Sequence, residues 1–339
     1  MTQPPNGFDD VDDDADALAL PDPMQVLDEL ERGGPVEPSR LRALSDATPE
    51  VLRRCLGLWA KLPPERRREV LAAIEQLAEE YPVLDFHRVQ LTAIRDADPA
   101  TRMLAVHGLT HEEKPEYAAL LLQQLRDDPV DAVRAEVATV LGSYVVAHEL
   151  GLLPEEAGEA LVAGLRDAIE DIQAAEEVRA RALEALGALS DEATAELISE
   201  QYEVGSHRMR VAALRAMGRN ASEGWLDLLI YHFDDDDAEI RAAAAEATGA
   251  LLVDEAVTPL ILLATEDRDE DVQVAAIRAL GEIANDEAER VLQRWLSERG
   301  EPAIQEAVRE ALGQVHLMTA DLVDERDGPP EFGDEEPIL

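Results

Sequence analysis

A ten-residue phrase recurs along this chain, and its period constrains the fold more than any other feature. It reads VRAEVATVLG at 133–142, VRARALEALG at 178–187, MRVAALRAMG at 209–218, IRAAAAEATG at 240–249, VQVAAIRALG at 272–281 and IQEAVREALG at 304–313. A degenerate copy, TRMLAVHGLT, occupies 101–110. The second residue of each copy is Arg102, Arg134, Arg179, Arg210, Arg241, Gln273 and Gln305, so the steps are 31 or 32 residues apart from one of 45. One regular period with a single enlarged step marks a stacked repeat array carrying an insertion. The surplus lies around Ala147–Glu159, where a loop at His148–Gly151 and a long following helix are expected. Insertions of this kind map to surface loops and sometimes carry binding function.

The phrase has the spacing of an amphipathic helix. Counting from its Arg or Gln as zero, position −1 is Val133, Val178, Met209, Ile240, Val272 and Ile304. Position +3 is Val137, Ala182, Ala213, Ala244, Ala276 and Val308, and +7 is Leu141, Leu186, Met217, Thr248, Leu280 and Leu312. Steps of four put these on one face, with small residues in the middle where neighbouring helices come close. Glycine at +8 is expected to end each helix in the left-handed conformation. A leucine-rich segment precedes each phrase: 86–95, 115–126, 154–172, 191–204, 222–233, 255–266 and 286–298. Asp98-Pro99, Asp127-Asp128-Pro129 and the run Asp234–Asp237 mark starts of second helices, since Asp caps and Pro is tolerated in the first turn. A helical pair alone cannot bury such a face, but a stack of pairs can.

The consensus D-x-x-V-R-x-x-A-x-x-A-L-G resembles HEAT repeats, specifically the short bacterial and archaeal type also found in phycobilisome lyases, over about 84–317. The resemblance implies an all-α, right-handed α-solenoid of about seven two-helix repeats whose second helices line the concave face. It also implies an Asp–Arg ladder between units, which makes Arg102, Arg134, Arg179, Arg210 and Arg241 structural. Gln273 and Gln305 depart from that pattern, so the ladder is expected to weaken towards the C-terminus.

Outside the array, residues 1–38 carry Asp9, Asp10, Asp12, Asp13, Asp14 and Asp16 and are expected to be a disordered acidic tail with a short helix near Met24–Glu31. Residues 39–83 are expected to be an N-terminal helical cap, and 318–339 a second acidic tail. The formal charge is −44, and Lys61 and Lys114 are the only lysines among 30 basic residues. Such a surface fits a salt-loving host, or a GC-rich genome combined with acidic tails, and its field repels nucleic acid and anionic membranes. Neither an apolar membrane span nor a secretory signal is visible, so a cytoplasmic location is expected. Cys55 stands alone, which excludes an internal disulfide.

Few constellations carry chemistry. Arg208, Arg215 and Arg219, spaced i, i+7 and i+11 with His207 beside them, put three guanidinium groups on one stripe suited to an acidic or phosphorylated partner segment. Position +5 reads His107, Thr139, Glu184, Arg215, Glu246, Arg278 and Glu310, a sign-alternating row that suggests ion pairs between repeats. His107 and His111, with Glu112, have the spacing of helical metal ligands but no evident further ligand. Deoxyhypusine hydroxylase, a HEAT-repeat metalloenzyme, carries His-Glu pairs inside its repeats, whereas His111-Glu112 and His148-Glu149 lie outside the phrase here. No phosphate loop, dinucleotide-binding glycine pattern or nucleophile elbow occurs. The expectation is a non-enzymatic scaffold that binds another protein, with no cofactor and no small-molecule substrate. The alternatives are a lyase- or chaperone-like protein handling a chromophore or client, and a metal-dependent hydroxylase.

Overall fold

In a computed structural model the chain is helical, with no strand among the described residues, which are 20–110, 112, 114–298 and 300–324. Two compact units divide it, Met1–Val140 and Leu141–Leu339. The first holds α1 (Pro23–Glu31), α2 (Pro38–Leu41), α3 (Pro49–Trp59), α4 (Pro64–Glu80), α5 (His87–Leu91), α6 (Pro99–His107) and α7 (Pro115–Asp127). The division falls within α8 (Asp131–Glu149). The second unit holds α9 (Glu155–Glu170), α10 (Glu176–Leu186), α11 (Glu192–Val204), α12 (His207–Asn220), α13 (Leu226–Tyr231), α14 (Ala238–Ala250), α15 (Val257–Glu266), α16 (Glu270–Ile283), α17 (Asp286–Ser297) and α18 (Pro302–Asp324).

Pairing in the second unit is that of an all-α solenoid. Each of α10, α12, α14, α16 and α18 packs on its own preceding helix, and each packs on the next of its kind. The residues at −1 and +3 are buried from Val178 to Val272 and from Ala182 to Val308, and Leu186, Met217, Thr248 and Leu280 at +7 are fully buried. Thr248 survives in that apolar row because its hydroxyl donates to the Ala244 carbonyl at 2.7 Å. Starts are capped as the turn residues require: Asp98 accepts from the Thr101 N–H, Ser206 from Met209, Asp237 from Glu239, and Asp269 from Asp271 and Val272.

Of the +8 glycines only Gly187 ends its helix, and it does so with right-handed backbone. Gly218, Gly249, Gly281 and Gly313 lie inside α12, α14, α16 and α18, and none has positive φ. A Cβ on Gly218 would stand 2.6 Å from the Ala247 Cα, one on Gly249 2.6 Å from the Ala279 Cα, and one on Gly281 2.7 Å from the Ala311 Cα. Gly218, Gly249 and Gly281 are therefore notches that receive the +6 alanine backbone of the next unit. Left-handed backbone occurs instead at Ala221, Leu252 and Ala284, three residues later. The expectation of a glycine C-cap is corrected accordingly: close approach, rather than φ, selects glycine here.

Two expectations about the chain's ends and its insertion also change. Residues 23–31 form α1, where a short helix is expected, but Val26, Leu27 and Leu30 enter one core with Leu58, Ile74, Phe86, Val89 and Ala105 rather than belonging to a tail. That core crosses the expected boundary between 83 and 84, so helices assigned to a cap share their interior with the first repeat. Burial of α1 overrides its acidity because basic side chains meet its carboxylates: Arg54 reaches Asp28 at 2.8 Å, Lys61 reaches Glu31 at 2.6 Å and Arg40 reaches Glu29 at 2.8 Å. At the other end α18 continues through 318–324, which the tail reading had included. Residues 1–19 and 325–339, the remainder of the two expected tails, lie outside the described residues.

The surplus near 147–159 is mostly helix. α8 runs on past Gly142 to Glu149, so His148 is helical and the turn lies at 150–154, with Gly151 at φ 71. The added turns bury Tyr144, Val145 and Ala147, which explains why the chain keeps winding. No helix among the described residues is long and apolar enough to cross a membrane.

Candidate functional site

The arginine stripe sits on α12, whose helix begins at the Ser206 cap. Most of its charge is met by the flanking second helices. Arg208 contacts Glu177 of α10, and His207 Nε2 lies 2.8 Å from the Asp237 carboxylate. Arg215 stands between Glu246 of α14, 3.0 Å away, and Glu184 of α10 at 3.8 Å. Arg219 is exposed and has no carboxylate partner among the described residues. The spacing thus brings three guanidinium groups onto one helix, and tertiary packing supplies acids to two of them.

The +5 row extends this pattern. Glu184, Arg215 and Glu246 are linked as above, and Arg278 of α16 donates to Glu310 of α18 at 2.9 Å. Between α14 and α16 the row opens into a cleft of about 400 Å³ lined by Arg215, Glu239, Glu246, Asp269, Asp271 and Arg278. Glu282, one turn beyond Arg278, is pushed up from the usual carboxylate range by burial and by the charge of Glu246.

The zero-position residues diverge in role. Arg102 makes a two-pronged pair with Asp128, both contacts at 2.8 Å, and its Nη1 donates to the Asp96 carbonyl. Arg241 repeats this geometry on Asp267 at 2.7 and 2.9 Å, with its Nη1 on the Asp235 carbonyl. Burial disfavours the charge of Asp128, but the Arg102 guanidinium and the Val130 N–H outweigh it and hold the carboxyl below its usual range; Arg241 does the same for Asp267. Arg179 instead donates to the Ile169 carbonyl, and Arg134 pairs with Asp131 in its own first turn. Arg210 is exposed, with no ion pair among the described residues. Gln273 donates to the Asp267 carbonyl at 2.7 Å, and Gln305 to those of Trp295 and Glu298, so glutamine keeps the backbone half of the arginine's contacts.

In the first unit, His107 is held by two other carboxylates rather than by Glu112. Its Nδ1 is 2.8 Å from Glu136 of α8 and its Nε2 3.1 Å from Glu75 of α4. Burial opposes protonation of this imidazole, but Glu136 and Glu75 win and raise its pKa. Glu75 itself is raised, chiefly by burial. His111 lies outside the described residues. Glu112 belongs to a different group, with Asp85 and His87, and these line a cleft of about 540 Å³ together with His107, Glu75 and Glu79. Sequence reading missed Asp85 and His87 because they precede the phrase. The Asp85-Phe86-His87 spacing, 25 residues before Glu112, was the available signal, and only folding brings the two segments together.

Trp225 and Trp295 are half-buried, and the Trp225 indole N–H donates to Asn220 at 2.9 Å. Burial pushes the Cys55 thiol up to about 12, which leaves it inert as a nucleophile.

Stacked helical pairs, buried −1, +3 and +7 rows and two-pronged Arg–Asp bridges define an α-solenoid of the repeat type. More particularly, residues 159–249 and 257–325 match the family model of HEAT repeats, and that part of the chain carries them. No curated protein matches it. Among solved structures it is similar to human deoxyhypusine hydroxylase in complex with glycerol, at 17% identity over 87% of this chain and 97% of that one, with a TM-score of 0.35. An engineered protein is similar at 18% identity over 86% and 88%, with a TM-score of 0.39. The karyopherin Kap121p is similar at 13% identity over 90% of this chain and 43% of that one, with a TM-score of 0.38.

Proposed function

We propose that this protein is a non-enzymatic scaffold that binds another protein along its layer of second helices, the concave face of a HEAT array. The observation that carries the reading is the row Arg215, Glu246, Arg278 and Glu310, which begins beside the buried Glu184. These side chains stand one per repeat along consecutive helices, and the Arg278 and Glu310 side chains are 58% and 49% exposed. A row of this sort offers a long, periodic surface to an extended partner, whereas a reaction centre needs groups that converge.

The sign of the surface favours a partner segment with basic side chains. The 400 Å³ cleft sets Glu239, Glu246, Asp269 and Asp271 against Arg215 and Arg278. Arg219 supplies a separate contact for an acidic group, since Arg208 and Arg215 of the same stripe are already paired with carboxylates. The test is affinity purification from the native organism at its native salt, comparing the wild type with Arg219→Glu and with Glu239→Arg/Asp271→Arg. The reading expects the double reversal to lose specific partners and Arg219→Glu to lose a subset. An unchanged partner set in both variants overturns it.

A further inference from the structure

We propose that Asp85, His87 and Glu112 form a binding site for a divalent transition-metal ion, with the Lys114 ammonium as the competing cation. One donor atom from each of the three residues lies within 4.8 Å of the others. His87 Nδ1 is 3.2 Å from Glu112 Oε1 and lies against Asp85 Oδ1. Donors bound at about 2.0–2.2 Å to one ion stand about 3 Å apart, as His87 Nδ1 and Glu112 Oε1 do, and the Asp85 carboxylate, which lies closer, would draw back on binding.

The imidazole gives an independent reason to expect a ligand. His87 is 6% exposed, and its Nδ1 is buried without a hydrogen-bond partner although two carboxylates face it. An ion bound through Nδ1 together with one oxygen of Asp85 and one of Glu112 would give that nitrogen the partner it lacks. The arrangement is built rather than incidental. The Asp85 N–H donates to Ser45 Oγ at 2.9 Å, the Asp85 carbonyl accepts from the Asp46 N–H at 2.8 Å, and the His87 ring leans on Tyr117 with centroids 5.7 Å apart. One imidazole nitrogen and two carboxylate oxygens suit zinc, manganese or ferrous iron, and the adjoining cleft leaves room for water on the remaining positions.

Lys114 supplies a discriminating feature. Its Nζ is 3.2 Å from His87 Nε2 and 2.7 Å from Glu112 Oε2. When the ammonium donates to Nε2, the single proton of the neutral ring sits on Nδ1. A metal on Nδ1 requires that proton on Nε2, where it would confront the ammonium. Ion and ammonium therefore exclude each other from His87, and the Lys114 side chain, 43% exposed, can withdraw into solvent.

Equilibrium dialysis of the untagged, chelator-treated full chain against Zn²⁺ and Mn²⁺ tests the site, with far-UV circular dichroism on every variant. The proposal expects one ion per chain for the wild type, loss in His87→Gln, and loss in Asp85→Asn/Glu112→Gln, whose positions are more exposed and tolerate exchange. Removing a unit positive charge at this distance should tighten binding, by about tenfold in Lys114→Ala. Equal uptake by the wild type and Asp85→Asn/Glu112→Gln overturns the site. So does a Lys114→Ala variant that binds no more tightly, because a merely structural Lys–His–Glu network has no reason to gain metal affinity.

Discussion

At the residue scale, the glycines and arginines of the phrase separate identity from role. Gly249 and Gly313 occupy the same position in successive copies of a helix. A Cβ on Gly249 would stand 2.6 Å from Ala279, while one on Gly313 would meet nothing within 4 Å. Gly249→Ala should therefore cost about 1–3 kcal/mol by overpacking. Gly313→Ala should gain up to about 1 kcal/mol through helix propensity. Chemical denaturation of the two variants checks this, and equal effects would refute the notch. Ala221, exposed at φ 54, is the complementary case: Ala221→Gly should stabilise by about 0.5–1 kcal/mol in the same assay. The repeat of glycine was plain in the sequence, but its reason was not, since a neighbour about 30 residues away supplies it.

The Arg241–Asp267 bridge yields a prediction of the same kind. The two side chains are only 14% and 6% exposed, so Arg241→Ala should cost about 3 kcal/mol by leaving the carboxylate unpaired, whereas exposed Arg210→Ala should stay within about 0.5 kcal/mol. The pH sign follows from the lowered pKa values of Asp128 and Asp267. A carboxyl depressed in the folded state contributes stability that is present above its unfolded pKa, near 3.9, and lost as pH falls through the folded value. Stability should thus decline as pH drops below about 4, and Asp267→Asn should flatten that decline in acid titrations followed by circular dichroism.

At the element scale, contacts between second helices decide which charges matter. His107 of α6 reaches Glu75 of α4 and Glu136 of α8 and so ties three helices of the first unit. Its pKa is raised, so its contribution is full below the unfolded value near 6.5 and is lost as pH rises through the folded one. NMR titration of His107 should show a midpoint above 6.5 that returns towards that value in Glu136→Gln; a midpoint at or below 6.5 in the wild type counts against the coupling. Repeat elements were legible because periodicity of 31–32 residues and turn chemistry agree. The extension of α8 was not, because Gly142 read as a stop and only the burial of Tyr144 and Val145 shows why the helix continues.

At the scale of the whole molecule, the charge of −44 sets the working conditions. Like charges on a folded chain repel, and salt screens them over a Debye length of about 3 Å at 1 M against about 10 Å at 0.1 M. The melting temperature should rise between those two salt concentrations; a flat or falling trend in differential scanning calorimetry would show that the paired acids already cancel the repulsion.

The sequence by itself determined the repeat, its period, the buried rows at −1, +3 and +7 and hence an all-α stack, because these depend on spacing along one helix. Tertiary structure alone decided which arginines find carboxylates, why glycine stands at +8, that α1 belongs to a core, and that Asp85 and His87 meet Glu112. Each of those depends on atoms brought together from different helices, and distance in space is what one helix's periodicity does not encode. The phrase that defines the array is therefore silent about the cleft beside it.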